Sequence, residues 1–441
     1  ILLCGNFFSA RAQTGKIWGH LKKKTTDAGL SFVQVGIEGT RRGAVTDKNG
    51  DYYIVNVPPG VYTLNVSMMG YETVRVEDVR VSVNRTAVVD VTLEESVVQG
   101  DEVVISAKKI QVKKDQTSSI RNVSAEDIEN LPVEDIAEVV NMQPGVVRGH
   151  FRGGRASEVS YMIDGLNVTE ALGGSGKMVE LEPDVIRDVE IITGTFNAEY
   201  GQAMSGIVNA ITKDGGSDFH GSAATYFANY LTPHKDIFIG LDDTEFDRNQ
   251  DYRFQLSGPV YKDKLTFFSN VRYRDSKNHL NGIRRFSVHD YSNFTVNDPS
   301  LYYSEHTGDS SYVPMNKSKE FSFMGKLTAR PFKNFKLSAM YLMNRNEWHG
   351  YSHVYKYNPD GNGFSRRESD MLSFHINHLL SKNIFYNLKV SFIYNYDAWY
   401  LYKNPLDTNY IHDAYHNSLG PGFYTGGQSK GHSRQTENDT K

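Results

Sequence analysis

The sequence has 441 residues, with 48 Lys and Arg against 52 Asp and Glu, a formal net charge of −4. That length suits two to four domains, and the near-balanced charge gives no footing for nucleic acid. Mean hydropathy is −0.48, and no apolar run approaches the ~18 residues of a spanning helix. A helical membrane protein is excluded, whereas a β-barrel, whose strands alternate, is not. The single cysteine excludes an internal disulfide and a thiolate zinc site, and 27 Tyr with 23 Phe favour strands.

The first residues, ILLCGNFFSARAQ, run apolar from Ile1 to Phe8 and then read Ala10-Arg11-Ala12. This is the tail of a secretory signal with an A-x-A cleavage site, so residues 1–12 are expected to be a remnant cut after Ala12. A lipidated Cys4 is the rival reading, disfavoured by the bulk of Leu3.

Residues 15–95 show short alternating strands at regular spacing, the pattern of a β-sandwich. Phe32, Val33, Val35 and Ile37 alternate with small or polar residues, and Asp47-Lys48-Asn49-Gly50 marks a hairpin turn. Asp47, Asn49 and Asp51 are not an EF-hand loop, because its sixth and twelfth positions hold Tyr52 and Pro58 rather than Gly and Glu. Residues 100–115 read as a linker holding a short β-prone strip, Asp101, Glu102, Val103, Val104, Ile105 and Ser106.

Residues 116–215 read as an α+β unit. Ser124 with Asp127 begins a short helix ending near Leu131. A second helix is expected over 133–142, with Ile136, Val139 and Val140 on one face and Pro144-Gly145 ending it. Two glycine-rich segments follow. FRGGRASEVSYMIDGLNV holds an Arg152-Gly153 turn and an Asp164-Gly165 turn. VEIITGTFNAEYGQAMSGIVNAITKDG begins at Val189-Glu190, has Gly194 and Tyr200-Gly201, and ends on a strand from Val208 through Asn209 to Lys213.

Beyond residue 219 the strands are long and amphipathic. Seven are expected, at 219–231, 251–258, 264–275, 319–330, 335–347, 370–381 and 384–399. Short turns alternate strictly with long polar loops, as in an outer-membrane barrel, although a soluble sandwich also alternates.

The ordered motifs of 151–215 resemble the plug domain of TonB-dependent outer-membrane receptors, with Pro144-Gly145-Val146 as a further match. The sandwich resembles the carboxypeptidase regulatory-like domain on TDKNGDYYI, Pro59-Gly60-Val61-Tyr62 and Gly70-Tyr71. The resemblance implies a mainly β chain: sandwich, α+β plug, then the first part of an antiparallel transmembrane barrel over 219–441. About 22 strands close the family's barrel, so the chain is expected to be the N-terminal part of a longer receptor.

The resemblance also implies roles. Asp101–Ser106 would be the TonB box, gripped by TonB and its inner-membrane motor through strand addition. Arg152 and Glu190 would help lock the plug to the barrel wall. Thr169, Gly173, Gly174, Ser175 and Lys177, with Tyr351 and Tyr355, would approach the ligand, an unidentified scarce nutrient. Outer-membrane lipid would surround the barrel, and a companion surface lipoprotein is compatible with the family.

No H-E-x-x-H, G-x-S-x-G or Walker motif is present, so no enzyme, cofactor or metal is expected. His349 with His353, or His412 with His416, read as solvated loop histidines. Adhesion or signalling without import is the alternative reading.

Overall fold

In the computed structural model, residues 15–441 are described apart from 58–59, 82–85, 96–102, 107–110, 113–118, 170–178, 194–202, 381–383, 416–421 and isolated positions. The signal remnant 1–12 lies outside the described residues, as do Asp101, Glu102, Gly173, Gly174, Ser175, Lys177, Gly194, Tyr200 and Gly201.

The N-terminal domain packs two five-stranded sheets face to face. One contains β1 (Gly15–Lys23), β4 (Asp51–Val57), β7 (Thr86–Val88), β8 (Val91–Leu93) and β10 (Gln111–Val112). The other runs β3 (Gly43–Val45), β2 (Gln34–Ile37), β5 (Gly60–Ser67), β6 (Val74–Val81) and β9 (Val103–Ser106). Alternation puts Ile17, Leu21, Val35, Ile54, Leu64 and Val76 into one core. The Asp47 turn is an Asx turn, its carboxylate accepting from Asn49 N at 2.8 Å and Asp51 N at 3.0 Å. The expected linker is part of this domain. Its strand β9 lies parallel to β6, pairing Val74 with Val103 and Glu77 with Ser106. Its strand β10 lies antiparallel to β7.

The second domain is a mixed sheet in the order β11-β16-β17-β14-β15: β11 (Ser119–Ser124), β14 (Val159–Ile163), β15 (Leu166–Asn167), β16 (Ile186–Thr193) and β17 (Gly206–Thr212). Between β11 and β14 lie α1 (Ala125–Glu129), α2 (Ile136–Asn141) and a small ribbon of β12 (Val146–Val147) with β13 (His150–Phe151). Ser124 Oγ donates to Asp127 at 2.7 Å, the expected cap. The second helix is shorter than the 133–142 expected, because Asp135 caps Glu138 N at 2.9 Å and sets its start there.

The third unit is an eight-stranded antiparallel meander: β18 (His220–Ala228), β19 (Asn249–Tyr261), β20 (Leu265–Ser276), β25 (Ser318–Ala329), β26 (Phe335–Trp348), β27 (Phe364–Leu379), β28 (Phe385–Tyr400) and β29 (Ser433–Thr440). The count of seven is corrected here. Ser433–Thr440 reads SRQTENDT and has no apolar alternation. Its extended state comes from backbone pairing along β28, from Trp399 opposite Ser433 to Phe392 opposite Thr440. The loop after β20 carries two short ribbons, β21 (Asn281–Ile283) with β24 (Tyr312–Pro314) and β22 (Ser292–Asn293) with β23 (Tyr303–Ser304). Short turns and long loops alternate as the sequence predicts.

The plug domain packs on the inner face of this sheet. Ile163, Val189, Val208 and Ala210 form one core with Phe268, Met324, Met340, Leu342, Met371 and Ile393. The outer face exposes Phe254, Leu327, Leu372, Phe374, Leu388 and Phe392. Among the described residues no helix is long and apolar enough to cross a membrane.

Candidate functional site

The sequence motif of the plug becomes geometry at the β14–β15 turn. Asp164 and Gly165 both take positive φ, 48° and 76°. That is the primed hairpin turn which an Asp-Gly pair favours. Gly165 N donates to Asn209 Oδ1 at 3.0 Å, which joins two motif residues 44 positions apart. The Asp164 carboxylate accepts from Thr212 N at 2.9 Å and Thr212 Oγ1 at 2.7 Å. The turn is thereby fixed onto the end of β17.

That fixed carboxylate faces the sheet. Lys326 Nζ lies 3.0 Å from Asp164 Oδ2 and 2.9 Å from Asp214 Oδ1, and donates to Thr212 Oγ1 at 2.8 Å. Lys336 Nζ reaches Asp214 Oδ2 at 2.6 Å. Lys389 Nζ donates to the Asp164 carbonyl at 2.7 Å. Lys326 is only 7% exposed at its side chain, so each charge needs its partner. Desolvation alone would raise both carboxyls. The lysines and Thr212 overcome it, holding Asp164 below the usual carboxylate range and Asp214 well below.

A second network joins the two units nearer the long loops. Plug residues 180–184 present Glu180, Glu182 and Asp184. Arg272 bonds Glu182 and reaches Asp251 at 2.7 Å. Arg253 spans Asp251 at 2.8 Å and Asp184 at 3.5 Å. Ser322 Oγ donates to Glu182 at 3.0 Å, and Asn346 donates to Glu180 at 3.2 Å. Beside this network is a cavity of about 560 Å³, lined by Tyr161, Glu182, Arg272, Arg274, Glu320 and Trp348 among others.

The remaining expected residues fall in varied places. Arg152 and Gly153 form a positive-φ turn, at 47° and 82°. Glu190 is fully buried in β16, flanked in register by Asn122 and Asn209. The described ion pairs from plug to sheet run through Asp164, Glu182, Asp184 and Asp214, which the sequence reading did not single out as locking residues. Thr169 Oγ1 accepts from Tyr161 N at 2.9 Å, an internal role in the plug.

Tyr355 is 7% exposed and packs at a tilt against Tyr424, with ring centroids 4.6 Å apart, inside a core formed between loops. Tyr351 bonds His353 Nδ1 through its hydroxyl at 3.0 Å. Val103–Ser106 is edge strand β9 of the sandwich. Among the described residues no group of three or more His, Cys, Asp or Glu is placed to hold a metal.

The three units together are a sandwich, a plug-like α+β domain and barrel-type strands enclosing one side of it. Residues 17–105 match the CarboxypepD_reg-like domain family, and residues 112–208 match the TonB-dependent Receptor Plug Domain family. The sandwich and the α+β unit thus match these two domain families, in that order. The TonB-dependent transporter Oar of Myxococcus xanthus is 26% identical, over 73% of this chain and 32% of its own length. The ferric enterobactin receptor PirA of Pseudomonas aeruginosa is 30% identical, over 38% of this chain and 24% of its own. The outer membrane transporter YddB from Escherichia coli superposes with a TM-score of 0.45 at 14% identity, covering 64% of this chain and 39% of that one. The chain thus spans about a third or less of the curated relatives named here.

Proposed function

We propose that this chain belongs to an outer-membrane importer that takes up a scarce nutrient, with the sheet 220–440 as barrel wall, 116–215 as its gate and 101–106 as the strip gripped by TonB. The observation that carries this reading is the plug seated on the inner face of the sheet by buried ion pairs, while the outer face presents apolar side chains. A wall with one lipid-compatible face and one polar face suits a bilayer. A plugged wall does not leak, so passage requires energy delivered from the inner membrane. The cavity beside Glu182 and Arg272 lies where a ligand entering from the long loops would first meet the plug.

The test is uptake in the full-length receptor carrying Val104→Pro. Proline removes one backbone donor and blocks strand addition. The expected result is normal membrane insertion with loss of growth on one iron, vitamin, glycan or peptide source. Wild-type growth on every source that requires the intact gene would remove the coupling role of 101–106 and favour adhesion.

A further inference from the structure

The ion pairs between plug and sheet share one polarity. In each pair made by the described residues, the acid is on the plug and the base is on the sheet: Asp184 with Arg253, Glu182 with Arg272, Asp164 and Asp214 with Lys326, and Asp214 with Lys336. On the long-loop half the wall carries acids of its own. Asp251 sits between Arg253 and Arg272, and Arg274 meets Glu320 at 2.7 Å. On the short-turn half the arrangement differs. The carboxylates against Lys326 and Lys336 are Asp164 and Asp214, both supplied by the plug, and Lys389 sits on the Asp164 carbonyl.

We propose, building on the importer reading, that the passage opened by plug movement is made for an anionic cargo. Once Asp164 and Asp214 withdraw, Lys326, Lys336 and Lys389 line the opened path on three of four consecutive strands, β25, β26 and β28, with β27 between the last two. An ammonium cluster in a confined wall needs countercharge. A cargo bearing carboxylate, phosphate or catecholate oxygens supplies it, so the plug's aspartates hold the place that the cargo's oxygens take during passage. A neutral cargo would leave the cluster uncompensated, and a cationic one would be repelled at this point.

The experiment uses the full-length receptor in cells and a complex nutrient extract split on an anion-exchange resin. Growth is compared between receptor-bearing and receptor-null cells on the retained, anionic fraction and on the flow-through. Receptor-dependent growth on the retained fraction is expected. Dependence on the flow-through overturns the anionic assignment while leaving an importer in place. Dependence on neither fraction removes the importer reading, and this inference with it.

A quadruple variant separates cargo handling from plug seating: Lys326→Gln, Lys336→Gln, Asp164→Asn and Asp214→Asn. It leaves no lone buried charge among the four, and seating is read by protease protection of the plug. With the plug protected, uptake of the retained fraction is expected to fall about tenfold or more. Wild-type uptake by the protected variant overturns the role given to the lysines. Should the variant fail to assemble, the fractionation of the wild type still decides the charge of the cargo.

Discussion

Lys326 is the residue on which the seating of the plug turns. Its ammonium touches two carboxylates and a hydroxyl in a largely buried site. Lys326→Met would leave Asp164 without an ionic partner and Asp214 with Lys336 alone. Removing one member of a buried pair costs about 3–5 kcal/mol. We expect that loss to appear as earlier release of the plug in urea, followed by protease sensitivity of residues 116–215. The pH dependence has a definite sign. Both aspartates have folded pKa values below the ordinary 3.8. Their contribution is therefore present above the unfolded pKa and is lost as pH falls through the lower folded value. Plug protection should stay level from neutral pH to about pH 4 and decline only in stronger acid, as pulse proteolysis across that range would report. Asp188 has the opposite sign, because burial raises its carboxyl despite Arg187 at 3.3 Å. At this scale the sequence was half legible. Asp164 and Gly165 stood out because a turn with two positive φ values demands particular residues, and Asn209 through its match to the family's motif. Lys326 and Asp214 did not, since a lone charge in an alternating strand looks the same whether it meets water or a carboxylate from another domain.

Among the elements, the strip 103–106 combines two properties. It is β-prone, and its backbone is already paired with β6. Among the described residues β9 keeps one edge open, but the coupling role proposed for 101–106 needs the strip drawn out of the sandwich, and that breaks its pairing with β6. A disulfide between Glu77→Cys and Ser106→Cys, which are register partners, in a Cys4→Ser background, should abolish binding of the coupling protein to the full-length receptor. Reductant should restore it, and equal binding in both redox states would show that the partner adds to the open edge of β9 with β6 in place. Gly215 offers a second test at the junction between plug and first barrel strand. A Cβ there would lie 2.3 Å from the Phe267 carbonyl oxygen and 2.7 Å from its nitrogen. Backbone cannot yield as a side chain can, so Gly215→Ala should cost about 1–3 kcal/mol, seen as lower yield of folded receptor. Most strands with strong alternation were legible in the sequence within a few residues, although β27 begins at Phe364 rather than at 370. β29 was not, because its polar sequence records no buried face and its conformation is dictated by the neighbour it pairs with.

For the molecule as a whole, the order of units was legible from spacing and motif, whereas their mutual contacts were not. Long loops rich in Tyr read equally well as ligand-facing or self-packing. In the structure Tyr355, Tyr357, Phe286, Phe423 and Tyr424 pack on one another across three loops. Arg284 adds a tie between Asp309 and Asp360, at 3.0 Å and 2.5 Å. The contrast between exposed and buried ion pairs gives a prediction at this scale. Exposed pairs are screened once the Debye length falls to about 3 Å at 1 M salt, while buried pairs are screened much less. Limited proteolysis of the full-length receptor in high salt should therefore loosen the loop around Arg284 and leave the plug protected. Equal loosening of both would mean that water reaches Lys326.

The plug sheet also has a mechanical polarity. Its order is β11-β16-β17-β14-β15. The moorings to the wall, Asp164 and Asp214, lie beside β14 and β17, whereas β11 is the opposite edge strand and the first to follow the linker. Tension applied ahead of Ser119 therefore loads six cross-strand partners with β16 before it reaches either mooring. A modest pull would peel one ribbon first while the moorings hold, a further pull would free Asp164 and Asp214 from the lysines, and slackening would let the parts zip back in reverse order.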